Sequence, residues 1–179
     1  MSGRLRRQPP VRASIPRGIL LLARGRADGL RQFGDTPPAF LASLAPLRHP
    51  DIEFYSLQKG EPAESELAQL TGQGWDGPVI VDYTRELHDF ADTAALIDQL
   101  DLVISVDTSL VHLAGALGKP VWILNRFDSC WRWLLDRTDS PWYPTARLYR
   151  QPQPGNWDSV VQRLRADLQR FAASAGVLS

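Results

Sequence analysis

Asp107, Thr108, Ser109 and His112 are the residues whose types and spacing most directly suggest chemistry in this 179-residue chain. They follow the apolar run 102–106 and lead straight into a second apolar stretch, 110–117, that reads as a helix with no intervening loop. The first turn of such a helix presents free N–H groups and the positive end of the helix dipole. An anion placed there would meet amides and the Thr108 and Ser109 hydroxyls together. His112 lies four residues after Thr108, one turn deeper on the same face, and would add an imidazole. The same residues have a plainer structural use, with the hydroxyl pair or Asp107 as a helix cap and His112 as a satisfied helix histidine.

Two further segments belong with them. Gln58-Lys59-Gly60 follows a strand-like run, and Lys59 there can set an ammonium against a diphosphate as a flexible point charge, or stand as a solvated loop lysine. The segment from Trp131-Arg132-Trp133 to Trp142-Tyr143-Pro144 holds three of the six tryptophans. Trp131 and Trp133 beside Arg132 could stack a base or sugar ring, or simply pin a loop to the domain.

Several other templates are absent. The first strand-like run ends in Ala23-Arg24-Gly25-Arg26-Ala27-Asp28-Gly29, without the glycine spacing of a dinucleotide fingerprint, and no Walker loop occurs. His49, His88 and His112 lack metal-ligand spacing, so no metal site is expected. Asp107-Thr108-Ser109-Leu110-Val111 lacks the flanking glycines of a nucleophile elbow, and His88-Asp89 reads as an exposed pair ahead of a helix.

These residues need a scaffold, and the hydrophobic pattern supplies one. Runs of strand length occupy 18–23, 52–57, 78–82, 102–106 and 120–124, with a short sixth at 147–149. Helical patterns fall between them. Thr36 is placed to cap one carrying Phe40, Leu41, Leu44 and Leu47, a second holds Leu67 and Leu70, and a third carries Phe90, Ala94, Ile97 and Leu100. The helix at 110–117 stops at Gly118, and an amphipathic helix over 157–173 closes the chain. Near-continuous apolar strands alternating with helices predict an α/β, Rossmann-like three-layer domain with a mostly parallel sheet of about six strands. Ligands of such sheets bind at the carboxyl ends of the strands, where Asp107 and Lys59 would both lie.

Composition sets the remaining bounds. Apolar residues make up 44% and charged residues 22%, the balance of an ordinary globular domain. The net charge of zero conceals a basic tail, 1–17, with five arginines and no acid, expected to be disordered. It is followed by a domain over 18–175, and the chain beyond residue 17 carries 15 basic against 20 acidic residues. That acidic body argues against a broad grip on nucleic acid. The single cysteine, Cys130, excludes an internal disulfide and a cysteine zinc cage and fits a reducing compartment. No run is long enough to span a bilayer and the arginine-rich start lacks signal-peptide form, so the expected location is the cytoplasm.

Read together, Tyr55-Ser56-Leu57-Gln58-Lys59-Gly60, Asp107-Thr108-Ser109-Leu110-Val111-His112, Trp131-Arg132-Trp133-Leu134-Leu135 and Asp139-Ser140-Pro141-Trp142-Tyr143-Pro144 mark a resemblance over roughly residues 50–172. The chain resembles the C-terminal half of tetratricopeptide-repeat-linked glycosyltransferases, which are related to glycosyltransferase family 9, the heptosyltransferases. The resemblance implies half of a GT-B architecture, the half that holds the nucleotide of a sugar donor. It implies that Lys59 faces the diphosphate, that Asp107, Thr108 and Ser109 line the donor site, and that His112 stands near the phosphates. It also implies inverting, metal-independent transfer with a nucleotide-diphosphate sugar as co-substrate and no further cofactor. A partner protein or second copy would complete the cleft. The alternative is a non-catalytic interaction or regulatory module that retained the half-fold.

Overall fold

The computed structural model describes residues 17–22, 44–57, 63–72 and 74–175. The basic tail up to residue 16, the segment 23–43 and Lys59 with its neighbours lie outside the described residues. Six strands form one sheet: β1 (Arg17–Leu22), β2 (Ile52–Ser56), β3 (Ile80–Asp82), β4 (Leu102–Val106), β5 (Val121–Asn125) and β6 (Ala146–Arg150). Among the described residues four α-helices accompany them: α1 (Ala63–Gly72), α2 (Phe90–Gln99), α3 (Ser109–Ala116) and α4 (Trp157–Ala175). The spatial order is β3-β2-β1-β4-β5-β6, and every pairing is parallel. The chain thus winds outward from β1 to β3 and then returns to the other side of β1 with β4. In sheets of this kind such a reversal marks where ligands bind, at the carboxyl ends of the two strands beside it, here β1 and β4. Asp107 is the first residue past the end of β4.

The burial of β4 and β5 explains their unbroken apolar runs, because a strand covered on both faces has no solvent side to keep polar. All ten of their positions are buried. On one face Ile104, Val106, Trp122 and Leu124 pack with Tyr149 against Val160, Val161, Leu164 and Leu168 of α4. On the other, Val103, Val121, Ile123 and Leu148 meet Ile97 of α2, Leu110, Val111 and Ala114 of α3, and Trp133. Trp122 is core, as its strand position predicts. Each such aliphatic side chain contributes about 1.5–3 kcal/mol when fully buried.

Local signals fix the helix ends. Asp89 caps α2 by accepting hydrogen bonds from the amides of Ala91 and Asp92, at 2.8 and 3.0 Å, which leaves His88-Asp89 as the expected exposed pair. At the far end of α3, Gly118 adopts φ +70°, and the amides of Lys119 and Gly118 bond back to the carbonyls of Ala114 and Gly115. This left-handed closure satisfies carbonyls that the helix would leave open, and it favours glycine. Lys119 then pairs with Asp98 of α2 at 3.2 Å.

Some expectations shift. Strand β3 begins at Ile80 rather than 78, since Pro78 has no amide to give the ladder and its carbonyl accepts the Trp75 indole N–H at 2.7 Å. The described end of the helix expected near 36–47 is a 3-10 turn over Ala45–Leu47, which still buries Leu44 and Leu47 completely. Phe90, placed on the inward stripe of α2, is 64% exposed; it sits in the first helical turn, while Ile97 and Leu100 face the core. Strand β6 is longer than 147–149. Its outer edge is covered where the Leu148 amide bonds to the Thr138 carbonyl and Asp139 bridges Arg147 antiparallel. Among the described residues no helix is long and apolar enough to cross a membrane.

Strand β6 and helix α4 are joined by one buried polar knot. The Tyr149 hydroxyl donates to Asp167 at 2.9 Å, and Arg147 and Arg170 approach the same carboxylate at 2.8 and 2.6 Å. Burial and this hydrogen bond hold the phenol well above its ordinary range. Asp167→Ala leaves a buried hydroxyl and two arginines without their acceptor, and a loss of about 1–3 kcal/mol is expected in urea unfolding. Tyr149→Phe, which keeps both arginine pairs, is expected to cost about 1 kcal/mol or less. Equal losses would contradict this assignment of the knot.

Candidate functional site at the carboxyl end of β4

Only Asp107 and Thr108 separate β4 from α3. Thr108 holds the N-cap position in extended backbone geometry, φ −135° and ψ 172°, but its hydroxyl does not cap the helix. It lies 3.2 Å from the hydroxyl of Ser105, which sits within β4. This corrects the expectation of a hydroxyl or carboxylate cap. Among the described residues no side chain bonds to the first-turn amides of α3, the end of a helix that carries free N–H groups and the positive end of the dipole. Ser109, the first helical residue, is exposed.

Asp107 is 15% exposed and works in two directions. One carboxylate oxygen lies 3.8 Å from Nε2 of His112, and the other 3.7 Å from the guanidinium of Arg132. His112 is further confined by Trp133, whose ring stacks on it at 5.5 Å and 15°, and by Tyr143, whose hydroxyl is 3.0 Å from Nδ1. Burial lowers the His112 pKa from its ordinary value. Asp107 opposes that shift and Arg132 adds to it.

The segment after β5 therefore divides its residues between two jobs. Trp133 is fully buried, Trp131 is 71% exposed with the Arg132 guanidinium 5.9 Å from its ring, and Arg132 reaches inward to Asp107. The Trp131-Arg132-Trp133 group is thus split rather than forming one stacking platform. Arg150 at the end of β6 secures the arrangement by donating to the carbonyls of Trp133 and Leu134 and to the Ser129 hydroxyl. Leu134 there takes φ 51° with ψ −178°, a positive-φ conformation kept almost wholly for glycine that costs about 1–3 kcal/mol. Arg132 Nε and Trp133 Nε1 are buried without a hydrogen-bond partner among the described residues, as are both polar side-chain atoms of Asn125 at the end of β5.

Of the residues singled out from sequence, Asp107, Thr108, Ser109, His112, Arg132 and Trp133 converge on this end of the sheet. Trp131 lies at its rim, and Lys59 is outside the described residues. Sequence reasoning did not find the partnership of Tyr143 with His112 or of Arg132 with Asp107. These pairs lie 31 and 25 residues apart, and no local period links them. Among the described residues no three His, Cys, Asp or Glu side chains gather as metal ligands would.

A parallel sheet in this order, with α3 starting at its switch point, defines the chain as a Rossmann-like half of a GT-B fold. Comparison with known proteins gives that class particular members. Residues 86–124, which include α2, β4, α3 and all but the last residue of β5, match glycosyltransferase family 9 (heptosyltransferase). Protein FlbA of Caulobacter vibrioides is 35% identical over 132 residues, 72% of this chain and 21% of FlbA. The structure of the E. coli heptosyltransferase WaaC with ADP superposes with a TM-score of 0.56 at 17% identity, covering 90% of this chain and 46% of WaaC. The chain thus has a heptosyltransferase-like fold and spans about a fifth of FlbA and under half of WaaC.

The depressed pKa of His112 has a thermodynamic consequence. As pH falls through about 6.5, the unfolded chain takes up the proton before the folded one. The stability due to a neutral His112 is therefore fully present above that value and is lost as pH drops toward the lower folded-state pKa. Wild type should lose more urea stability between about pH 7.5 and 5.5 than His112→Gln. Parallel losses in the two proteins would contradict a neutral, partly buried imidazole.

Proposed function

We propose that this chain binds the nucleotide-diphosphate portion of a sugar donor, in the manner of the donor half of an inverting glycosyltransferase. The observation that carries this reading is the convergence of Arg132 and His112 on the uncapped amino end of α3, beside the sheet's switch point. A diphosphate seated there would accept hydrogen bonds from the first-turn amides and the Ser109 hydroxyl. Arg132 would turn from Asp107 to the phosphates, since a guanidinium exchanges one carboxylate for another oxyanion without loss of geometry. Lys59 would add the second cation. During transfer the same groups would hold the charge that builds on the departing diphosphate, with no metal or further cofactor called for. The solved heptosyltransferase of this fold carries ADP, which fits a nucleotide diphosphate as the bound group. In this reading the acceptor and the base that takes its proton come from outside this domain.

A second reading, an interaction module without transfer, is favoured by one observation. Phe127, Trp131, Leu134, Leu135 and Trp142 expose large apolar side chains within a single connection.

Thermal unfolding against UDP, GDP, ADP and CMP, for wild type, Lys59→Ala and Arg132→Ala, separates the two. A nucleotide at 100 times its dissociation constant should add about 2.7 kcal/mol, a shift of several degrees for a domain of this size. We expect such a shift with a nucleoside diphosphate and its loss in both variants. No shift with any nucleotide would overturn donor binding by this chain and leave the interaction module.

A further inference from the structure

We propose that Tyr143 is a positioning residue for His112, its hydroxyl fixing the neutral imidazole in the tautomer that carries its proton on Nε2, turned toward Asp107. The two ring nitrogens meet different partners. Nε2 faces a carboxylate oxygen of Asp107 at 3.8 Å, and Nδ1 faces the Tyr143 hydroxyl at 3.0 Å. An ionised carboxylate only accepts, so it favours N–H at Nε2 and leaves Nδ1 as a lone pair. A phenol can donate to that lone pair, whereas the opposite tautomer would set the bare Nε2 against the carboxylate. The ring has little freedom to evade the choice, stacked on the fully buried Trp133 and tilted at 59° against Tyr143.

The approach of Tyr143 is itself built into α3. Gly115 lies one turn beyond His112, and a Cβ on it would stand 2.5 Å from the Tyr143 ring, so the absence of a side chain there is what lets the phenol close on the helix. The Ala146 amide bonds to the Tyr143 carbonyl at 2.9 Å and ties the tyrosine to the start of β6. Among the described residues the Tyr143 hydroxyl meets the polar groups of the site through His112. The consequence for ligand binding rests on the nucleotide reading above: His112 offers an anion a neutral N–H donor already oriented, rather than a ring free to present its lone pair.

The test uses the full chain and Tyr143→Phe, which keeps the ring against Gly115 and removes only the hydroxyl. Nitrogen-15 NMR of the His112 ring, without ligand and above its pKa, should show one tautomer with bare Nδ1 in wild type. In the variant the two nitrogen shifts should move toward those of a mixture. A mixture in wild type, or an unchanged spectrum in the variant, overturns the proposal. Titration with ADP and with UDP supplies a second readout. Tyr143→Phe should weaken binding about tenfold in wild type and not at all in a His112→Ala background. Equal weakening in both backgrounds would mean that the hydroxyl does not act through His112, and would also overturn the proposal. If neither nucleotide binds wild type, the nucleotide reading falls while the ring spectra still decide the role of Tyr143.

Discussion

Two residues separate a strand that is buried at every position from a helix that begins at once, and the rest of the site depends on that short junction. Because β4 is packed on both faces, its end cannot drift. Because Asp107 and Thr108 are all that connects it to α3, the amino end of the helix is fixed against the sheet's carboxyl edge. The core on one face holds Leu110, Val111 and Ala114 of α3, so the helix is anchored by its apolar stripe while no described side chain caps its first turn. A scaffold of this kind supplies oriented dipoles without reorganisation when a charged group arrives.

Asp107 organises the side chains around that junction. A carboxylate beside the proposed anion site is at first sight the wrong charge, but its oxygens are directed to His112 and Arg132 rather than left open. It holds an imidazole and a guanidinium near the helix end, and both are groups of kinds that suit a phosphate. Arg150 extends the organisation outward by donating to the carbonyls of Trp133 and Leu134, in the segment where Trp133 is buried and Trp131 exposed.

Much of the scaffold was legible because its determinants are local. Strand β4 shows as five consecutive apolar or small residues and β5 nearly so, since both faces are covered. Gly118 ends α3 because the closure that satisfies its last carbonyls needs a left-handed backbone. Asp89 reads as a cap because its carboxylate meets amides only two and three residues away. The site was legible only in part. Asp107, Thr108, Ser109 and His112 share one segment and could be grouped by spacing, but the Thr108 hydroxyl turned to Ser105 instead of the helix, a choice set by the strand's packing. Arg132 and Tyr143 reach the site through a long connection whose path is set by the burial of Trp133, and no sequence period encodes that path. Phe90 shows the opposite failure, a residue on the correct helical stripe that lies too near the helix start to reach the core.

The proposed function places a nucleoside diphosphate at the amino end of α3. Amide and indole chemical-shift mapping of the full chain during titration with ADP and UDP tests it most directly. The account predicts that the largest changes fall on the amides of residues 107–112, the Trp133 indole N–H and the Arg132 side chain, with the far ends of α2 and α4 unmoved. Saturable changes centred elsewhere, or none at millimolar nucleotide, would contradict it.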